Sequence, residues 1–416
     1  MMKFSEKGER LRPPEITRLM SLALETPGLL SLAAGFTDTT SLPAGAVAEV
    51  VKDLTLRSGP PEHLQYGSNQ GRPGLREEVA RRLAKADGAG ADSVRRDEVI
   101  VTTGSQQALA LACEVLCDPG DVIFVERPTY FVFLDVARSL GVRLRSIPED
   151  PATGILDSQA FRDLLEGFKE SGEEARVKGV YLVSYFSNPS SRSLGTAQKE
   201  ELADILQESG FVVPVLEDAA YRELHFRDPV EAPSALALQA FRSFPVLYMG
   251  TFTKPFATGL KVGFACTNDP EWRDRILHLK GAHDFGTANL NQAVVEEALR
   301  TGAFDEQVGR VRTVYRTKME VLDEALRREG LPELGWTWER PDGGLYLWLR
   351  APDRLDTGLD SEFCARCLEA GVLYVPGELC FGDDPDSSFV RLSFGVLDED
   401  GLQEAARRFA EAARSE

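Results

Sequence analysis

Leu247-Tyr248-Met249-Gly250-Thr251-Phe252-Thr253-Lys254-Pro255, followed by Thr258-Gly259-Leu260-Lys261-Val262-Gly263, decides how the chain is read. Leu247–Thr251 is a short buried-strand run, and a second one, Val262–Cys266, follows closely. A lysine directly after a buried strand is costly to desolvate, which lowers the pKa of its amine. A lowered pKa is what a Schiff-base lysine requires. The hydroxyls of Thr251 and Thr253 and the cation of Lys261 stand where they can hold a phosphate beside Lys254. The competing reading is a loop lysine in solvent; this local run favours the functional one.

Outward from that stretch, short apolar runs alternate with helix-length amphipathic ones, as in an α/β domain. Glu98–Thr103 reads as a strand followed by a helix through Cys117, Asp121–Glu126 as a strand and Tyr130–Leu140 as a helix. Val177–Phe186 and Val212–Glu217 are β-rich and flank a helical Ala197–Glu208. Helical text dominates Pro270–Gly330, including a long helix from Asp305. Gly344–Leu349 and Phe389–Phe394 then alternate like half-exposed strands, with helices at 361–370 and 400–414. The expected organisation is an N-terminal arm over 1–45, a large α/β domain over 46–305 with a mainly parallel mixed sheet between helices, and a smaller α+β domain over 306–416. In the arm, Pro13-Pro14 opens a helix to about Glu25 and Pro27-Gly28 stops it.

Two further constellations carry chemistry. Thr103-Gly104-Ser105-Gln106-Gln107 sits where a strand ends and a helix begins. Free N–H groups and the helix dipole favour an anion there by up to ~2 kcal/mol. Alone it is equally an ordinary capped turn. Leu216-Glu217-Asp218-Ala219-Ala220-Tyr221 ends a β-rich run, where open α/β sheets place ligands. A carboxylate there can keep a heterocyclic nitrogen protonated, and a tyrosine three residues on can offer its phenol to the same ligand. Ser187-Asn188-Pro189-Ser190 adds an amide donor but is also a common turn. Neither GxGxxG after a strand nor a Walker-type GxxxxGK[ST] is present.

Composition excludes other classes. The 416 residues carry 47 basic and 66 acidic side chains, a formal net charge of −19 that opposes binding to nucleic acid or to an anionic membrane. No apolar run approaches the ~20 residues that span a bilayer, and Met1–Arg10 lacks an apolar stretch of signal type. A cytoplasmic protein is expected. Six cysteines are too few for a disulfide framework, and Cys364-Ala-Arg-Cys367, on a helical pattern, reads as core packing without a second ligand pair for a metal. The four histidines give no metal pattern, so no metal is expected.

Taken together these residues resemble the pyridoxal-phosphate (PLP) enzymes of fold type I, in the class I/II aminotransferase family, and within it the kynurenine/2-aminoadipate aminotransferase group. The resemblance runs from Ile16 to the final helix. It is carried by Leu29–Gly35, Gln65-Tyr66-Gly67, Gly71–Leu75, Thr102–Gln107, Glu126–Tyr130, Asn188-Pro189, Asp218–Tyr221, Thr251–Lys254, Gly259–Gly263 and Val390–Gly395. Lys254 follows Asp218 by 36 residues and Arg391 follows Lys254 by 137, as the family expects.

The resemblance implies that Lys254 condenses with the cofactor aldehyde and shuttles the substrate Cα proton, while Asp218 keeps the pyridine nitrogen protonated so that the ring acts as an electron sink. Tyr221 and Asn188 would bond the ring oxygen O3′, and Tyr130 would stack on the ring. Ser105, Gln106, Thr251, Thr253 and Lys261 would bind the phosphate, joined by Tyr66 from the neighbouring subunit of a homodimer with shared active sites. Arg391 would take the substrate α-carboxylate as a bidentate pair, and Gly35 would touch the substrate through its backbone. Two positions depart from the family: Lys261 replaces the usual arginine, and Ser190-Ser191-Arg192-Ser193 replaces the commoner Thr-Gly.

The implied activity is transfer of the amino group of an L-amino acid (aromatic, branched or 2-aminoadipate-like) to a 2-oxo acid such as 2-oxoglutarate. The rivals are another reaction at Cα on the same fold (lyase, decarboxylase or oxidase) and a PLP-binding sensor domain of a transcription regulator. Asn188 and Arg391 favour transfer over the first; the sensor needs a preceding DNA-binding domain, whereas the resemblance begins at about residue 16. Arg18 meets a second carboxylate or pairs with Glu15 or Glu25. Phe36, Leu345 and Tyr346 line an apolar side-chain pocket or belong to the core.

Overall fold

Seven strands form the central sheet, in the order Val99–Thr102, Gly263–Thr267, Val246–Thr251, Val215–Asp218, Val177–Val183, Val122–Val125, Arg143–Ser146. All neighbours run parallel except Gly263–Thr267, which is antiparallel to both of its partners. The computed structural model describes residues 3–14, 17, 19, 21, 25–88, 90, 93–150 and 154–414.

Strands buried on both faces read as continuous apolar runs, and Val122-Ile-Phe-Val and Val99-Ile-Val-Thr are fully buried. The helices Gly104–Leu116, Phe131–Ser139 and Pro270–Asp284 cover one face, with Leu109, Phe133 and Ile276 packed on Ile100, Ile123 and Leu247. Ser158–Glu170 and Thr196–Glu208 cover the other, where Phe161, Leu165 and Leu202 meet Phe124, Val180 and Leu182. The sheet is thus closed on both sides along its length. Ligands can reach it only at the strand ends.

A second, antiparallel sheet has the order Val375–Pro376, Phe389–Ser393, Tyr346–Arg350, Thr337–Trp338. The helix Ala303–Arg328 spans roughly 39 Å at 1.5 Å per residue and joins both parts. Its Phe304 packs on Phe252 beside the lysine turn, and its Leu322 and Leu326 lie in the same apolar cluster as Leu402 and Phe409 of the final helix, Glu399–Arg414. Leu30–Ser31 pairs in parallel with Val372–Leu373, and Ser393 N–H donates to Leu32 O at 2.6 Å. That pairing holds Ala33–Gly35 against the second sheet.

Most elements expected from the pattern are present, with shifted ends. The Val177–Phe186 run stops pairing at Val183, and Phe186 has φ 46°. The helical text of 270–330 is three helices, Pro270–Asp284, Asn289–Thr301 and Ala303–Arg328. The pattern omitted the edge strand Arg143–Ser146, whose exposed arginines hide its alternation. Cys364 and Cys367 are buried on the Glu362–Glu369 helix, as packing residues should be. The helix expected between Pro13 and Glu25, with Arg18, lies largely outside the described residues.

Candidate active site

The C-terminal ends of the parallel strands converge on one crevice, and the antiparallel sheet faces it. Asp218 is the last residue of its strand, in register with Val183 on one side and Met249 on the other. Period-two alternation sends Glu217 away from the crevice, into a fully buried pair with Lys199 at 2.7 Å. Asp218 accepts from Tyr181 Oη at 3.1 Å and from Ala220 N–H at 3.0 Å. Burial pushes its carboxyl up to about 6, against the pull of those two bonds. It has no cationic partner among the described residues.

The Val246–Thr251 strand delivers Lys254 after one tight turn, in which Thr251 Oγ1 and Thr253 Oγ1 lie 2.7 Å apart. Lys254 Nζ donates to Gly35 O at 2.6 Å. Desolvation is the main cause that lowers its pKa; the phenol of Tyr346 opposes it, and the charges of Arg391 and Lys261 add to it. Lys254 is half-buried, and its amine is bonded to the backbone of the N-terminal segment. Lys261 itself is exposed, at the left-handed φ of 53°.

Beside it the strand Gly263–Thr267 touches the N-terminus of the Gly104–Leu116 helix. A Cβ on Gly263 would lie 2.6 Å from Gly104 C and 2.8 Å from Ser105 N, and Gly104 has φ +73°. Only glycine permits that approach. The result is an anion cradle of helix N–H groups next to Thr251, Thr253 and Lys261. Ser105 is half-buried and Gln106 exposed; Gln107, which the sequence did not single out, accepts from Thr103 N–H at 2.8 Å and donates to Asp284 Oδ2 at 2.9 Å.

Arg391 is buried on the Phe389–Ser393 strand. Nη1 donates to Asn188 Oδ1 at 2.8 Å and Nη2 to Ala33 O at 2.6 Å; its guanidinium lies 4.3 Å from the Tyr346 ring centroid and 5.1 Å from that of Phe131. Its buried Nε has no hydrogen-bond partner among the described residues. Such an orphaned donor is costly unless a ligand takes it. Tyr221 Oη is 3.0 Å from Tyr346 Oη. Burial raises the Tyr130 phenol pKa well above its usual value, and Tyr346 and Asp218 raise it further.

The structure thus gathers Lys254, Asp218, Tyr221, Asn188, Arg391, Gly35 and Tyr130 in the crevice, with Ser105, Thr251, Thr253 and Lys261 at the cradle. Tyr66 stands apart: it is 81% exposed, edge-on to Phe285 at 5.9 Å between centroids. Of the residues with two readings, Leu345 is core, Phe36 is 54% exposed, and Tyr346 belongs to the site. The serines after Pro189 tie the segment together: Ser187 Oγ meets Ser190 Oγ at 2.6 Å and Ser191 Oγ donates to Tyr346 O at 2.8 Å.

Residues 27–409 match the family aminotransferase class I and II. The chain is 34% identical over 411 residues to a 2-aminoadipate transaminase of Thermus thermophilus, covering 98% of this chain and 96% of that one. It is 28% identical over 414 residues to an aromatic-amino-acid aminotransferase of Thermococcus litoralis, covering 99% and 94%. Among solved structures, a Pyrococcus horikoshii kynurenine aminotransferase in complex with PMP superposes with TM-score 0.87 at 29% identity, covering 99% and 96%. The Thermus thermophilus alpha-aminoadipate aminotransferase complexed with N-(5′-phosphopyridoxyl)-L-leucine does so at 0.82 and 32%, covering 99% and 97%.

The chain belongs to the class I and II aminotransferases. It has the type I fold of the PLP-dependent enzymes and is a PLP-dependent aminotransferase acting on amino acids, as the resemblance in the sequence implied. The site fits that cofactor on its own terms. The glycine-lined cradle suits a phosphate, the unpaired Asp218 carboxylate suits a protonated ring nitrogen, and the orphaned Arg391 Nε suits a carboxylate.

Proposed function

We propose that the enzyme moves the amino group of an L-amino acid with an aromatic, branched or 2-aminoadipate-like side chain to a 2-oxo acid such as 2-oxoglutarate, as a cytoplasmic homodimer. Bound PLP supplies an aldehyde carbon for the substrate amine and a cationic ring that takes up electron density released at Cα. Lys254 would hold that group through its amine and would carry the proton to and from the substrate Cα. Desolvation lowers the pKa of this amine, which favours the neutral form that a base requires. Asp218 would hold the ring nitrogen protonated, Tyr221 and Asn188 would bond O3′, and Tyr130 would stack on the ring.

Ser105, Gln106, Thr251, Thr253 and Lys261 hold the phosphate, with Tyr66 of the partner subunit completing the cradle. The 81% exposure of Tyr66 leaves it available to a partner subunit and supports that crossing. Arg391 takes the α-carboxylate as a fork, exchanging the Asn188 and Ala33 bonds for stronger charged ones. Gly35 offers backbone to the substrate. On this division residues 1–45 bring Gly35 and pack with 306–416, which supplies Arg391, while 46–305 binds the cofactor.

The observation that carries the proposal is the Lys254 amine buried among Gly35, Tyr346 and Arg391. Its test is a stopped half-reaction. Resting cofactor absorbance should fall on adding L-phenylalanine, L-leucine or L-2-aminoadipate without 2-oxo acid, and return on adding 2-oxoglutarate. Irreversible release of CO2 or ammonia would instead establish the lyase, decarboxylase or oxidase alternative.

A further inference from the structure

One end of the hydrogen-bond chain around Tyr346 has a forced direction. A guanidinium can only donate, so Asn188 Oδ1 accepts from Arg391 Nη1 at 2.8 Å. That fixes the amide orientation and turns Nδ2, a donor, toward Tyr346 Oη at 3.5 Å. Tyr346 Oη accepts there and keeps its own proton, and Tyr221 Oη lies 3.0 Å away, where either hydroxyl can be the donor. When Tyr346 donates, Tyr221 accepts and its own proton is left for the crevice. The Tyr346 oxygen has little room to do otherwise, because it sits where a Cβ on Gly35 would come within 2.9 Å. Trp348 and Arg391 are paired across the two strands that carry Tyr346 and Arg391, so the frame is a rigid sheet rather than a loop.

We propose that Tyr346 is a positioning residue that relays hydrogen-bond polarity from Arg391 and Asn188 to Tyr221, making Tyr221 a stronger donor to the cofactor's ring oxygen. This rests on the proposed placement of Tyr221 and Asn188 against O3′. A hydroxyl that accepts a hydrogen bond donates a stronger one, so the relay favours the deprotonated ring oxygen and lowers the pH at which the resting holoenzyme changes colour. It also gives the carboxylate site a second line to the ring, through Tyr346 as well as through Asn188. The charged and titratable groups that face Tyr346 and Tyr221 are Arg391, Lys254 and Tyr130, with Lys261 acting on Lys254 from the cradle and Asp218 on Tyr130. All are kept in the variants below.

The test is a pH titration of cofactor absorbance in the holoenzyme without substrate, for the parent, Tyr221→Phe, Tyr346→Phe and the double variant. Both substitutions keep the ring and remove a single oxygen. Tyr346→Phe should raise the midpoint by roughly half a unit to one unit, the worth of one neutral hydrogen bond. Tyr221→Phe should raise it further, and the double variant should match Tyr221→Phe, since the relay has no outlet once Tyr221 lacks its hydroxyl. A merely structural hydroxyl would change the melting temperature and leave the midpoint in place. An unmoved or lowered midpoint in Tyr346→Phe, or an additional shift in the double variant, overturns the relay. An unmoved midpoint in Tyr221→Phe removes the placement of Tyr221 on O3′ and the relay with it.

Discussion

Arg391 and Asn188, 203 positions apart in the chain, meet through a 2.8 Å hydrogen bond across the two sheets. The bond joins the end of a central-sheet strand to the middle of the antiparallel sheet. It also holds a buried guanidinium ready for an anion. Replacing Arg391 by lysine keeps the charge and loses the planar fork. KM for amino-acid donors should rise about 100-fold in Arg391→Lys, the cost of roughly 2–3 kcal/mol of charge-assisted bonding, while cofactor absorbance stays unchanged. Steady-state kinetics with a panel of donors checks it; an unchanged KM removes Arg391 from carboxylate binding.

Lys254→Ala should abolish both half-reactions while the chain still folds, because the alanine fits wherever the lysine stem did. Borohydride reduction of the parent should label the peptide holding Lys254, and reduction of the variant should label none. Label on another lysine of the parent would displace the assignment.

Asp218→Asn should slow Cα deprotonation by at least ~100-fold, since a neutral amide no longer holds the ring nitrogen protonated. Single-turnover absorbance changes report that step separately from binding. Rates equal to the parent's would take the electron-sink role away from Asp218.

Gly263→Ala drives a methyl group into the helix N-terminus, with Gly104 C at 2.6 Å and Ser105 N at 2.8 Å. Backbone must move, and the cradle opens. Cofactor affinity should fall at least ~10-fold, a little over 1 kcal/mol, measured by fluorescence titration of the apoprotein. Because Lys254 and Asp218 are untouched, retained affinity would place the phosphate elsewhere.

Glu126 offers a pH prediction. Burial is the main cause that pushes its carboxyl up to about 8, opposed by a bond from Val183 N–H at 2.6 Å. A native pKa raised above the unfolded value means the folded state binds the proton more tightly. Stability from this group is present below the unfolded carboxyl range and is lost as pH rises toward 8. Glu126→Gln should therefore flatten the stability profile between about pH 5 and 8, exceeding the parent by more than ~1 kcal/mol at pH 8. Urea melts at both pH values decide it, and parallel profiles for the two proteins would show that Glu126 stays ionised without penalty.

The α/β alternation, the strand–lysine turn and the strand-end carboxylate were legible because each rests on local chemistry: runs of apolar residues, a glycine beside a hydroxyl, a charge after a buried strand. Those features mark Lys254, Asp218, Thr251, Thr253 and Ser105 as candidates in the sequence alone. Tyr346 was not separable from the core, because alternation in Gly344–Leu349 tells which face a residue takes and not what lies opposite. Gln107 was overshadowed by its neighbours for a similar reason: its partner Asp284 is 177 positions away. The arginines of Arg143–Ser146 concealed an edge strand whose only signal is pairing with Val122–Val125.

By itself the sequence determined which strands are buried on both faces, and where a lysine follows a buried strand and a carboxylate ends one, since apolar runs and desolvation cost are properties of the residues; Arg391 entered only through the family resemblance. Tertiary structure alone decided that Arg391 donates to Asn188, that Tyr346 lies between Asn188 and Tyr221, and that Tyr66 is exposed against Phe285. Those relations come from packing two sheets and an N-terminal strand together, and hydrogen-bond direction and exposure exist only once distant segments share a surface.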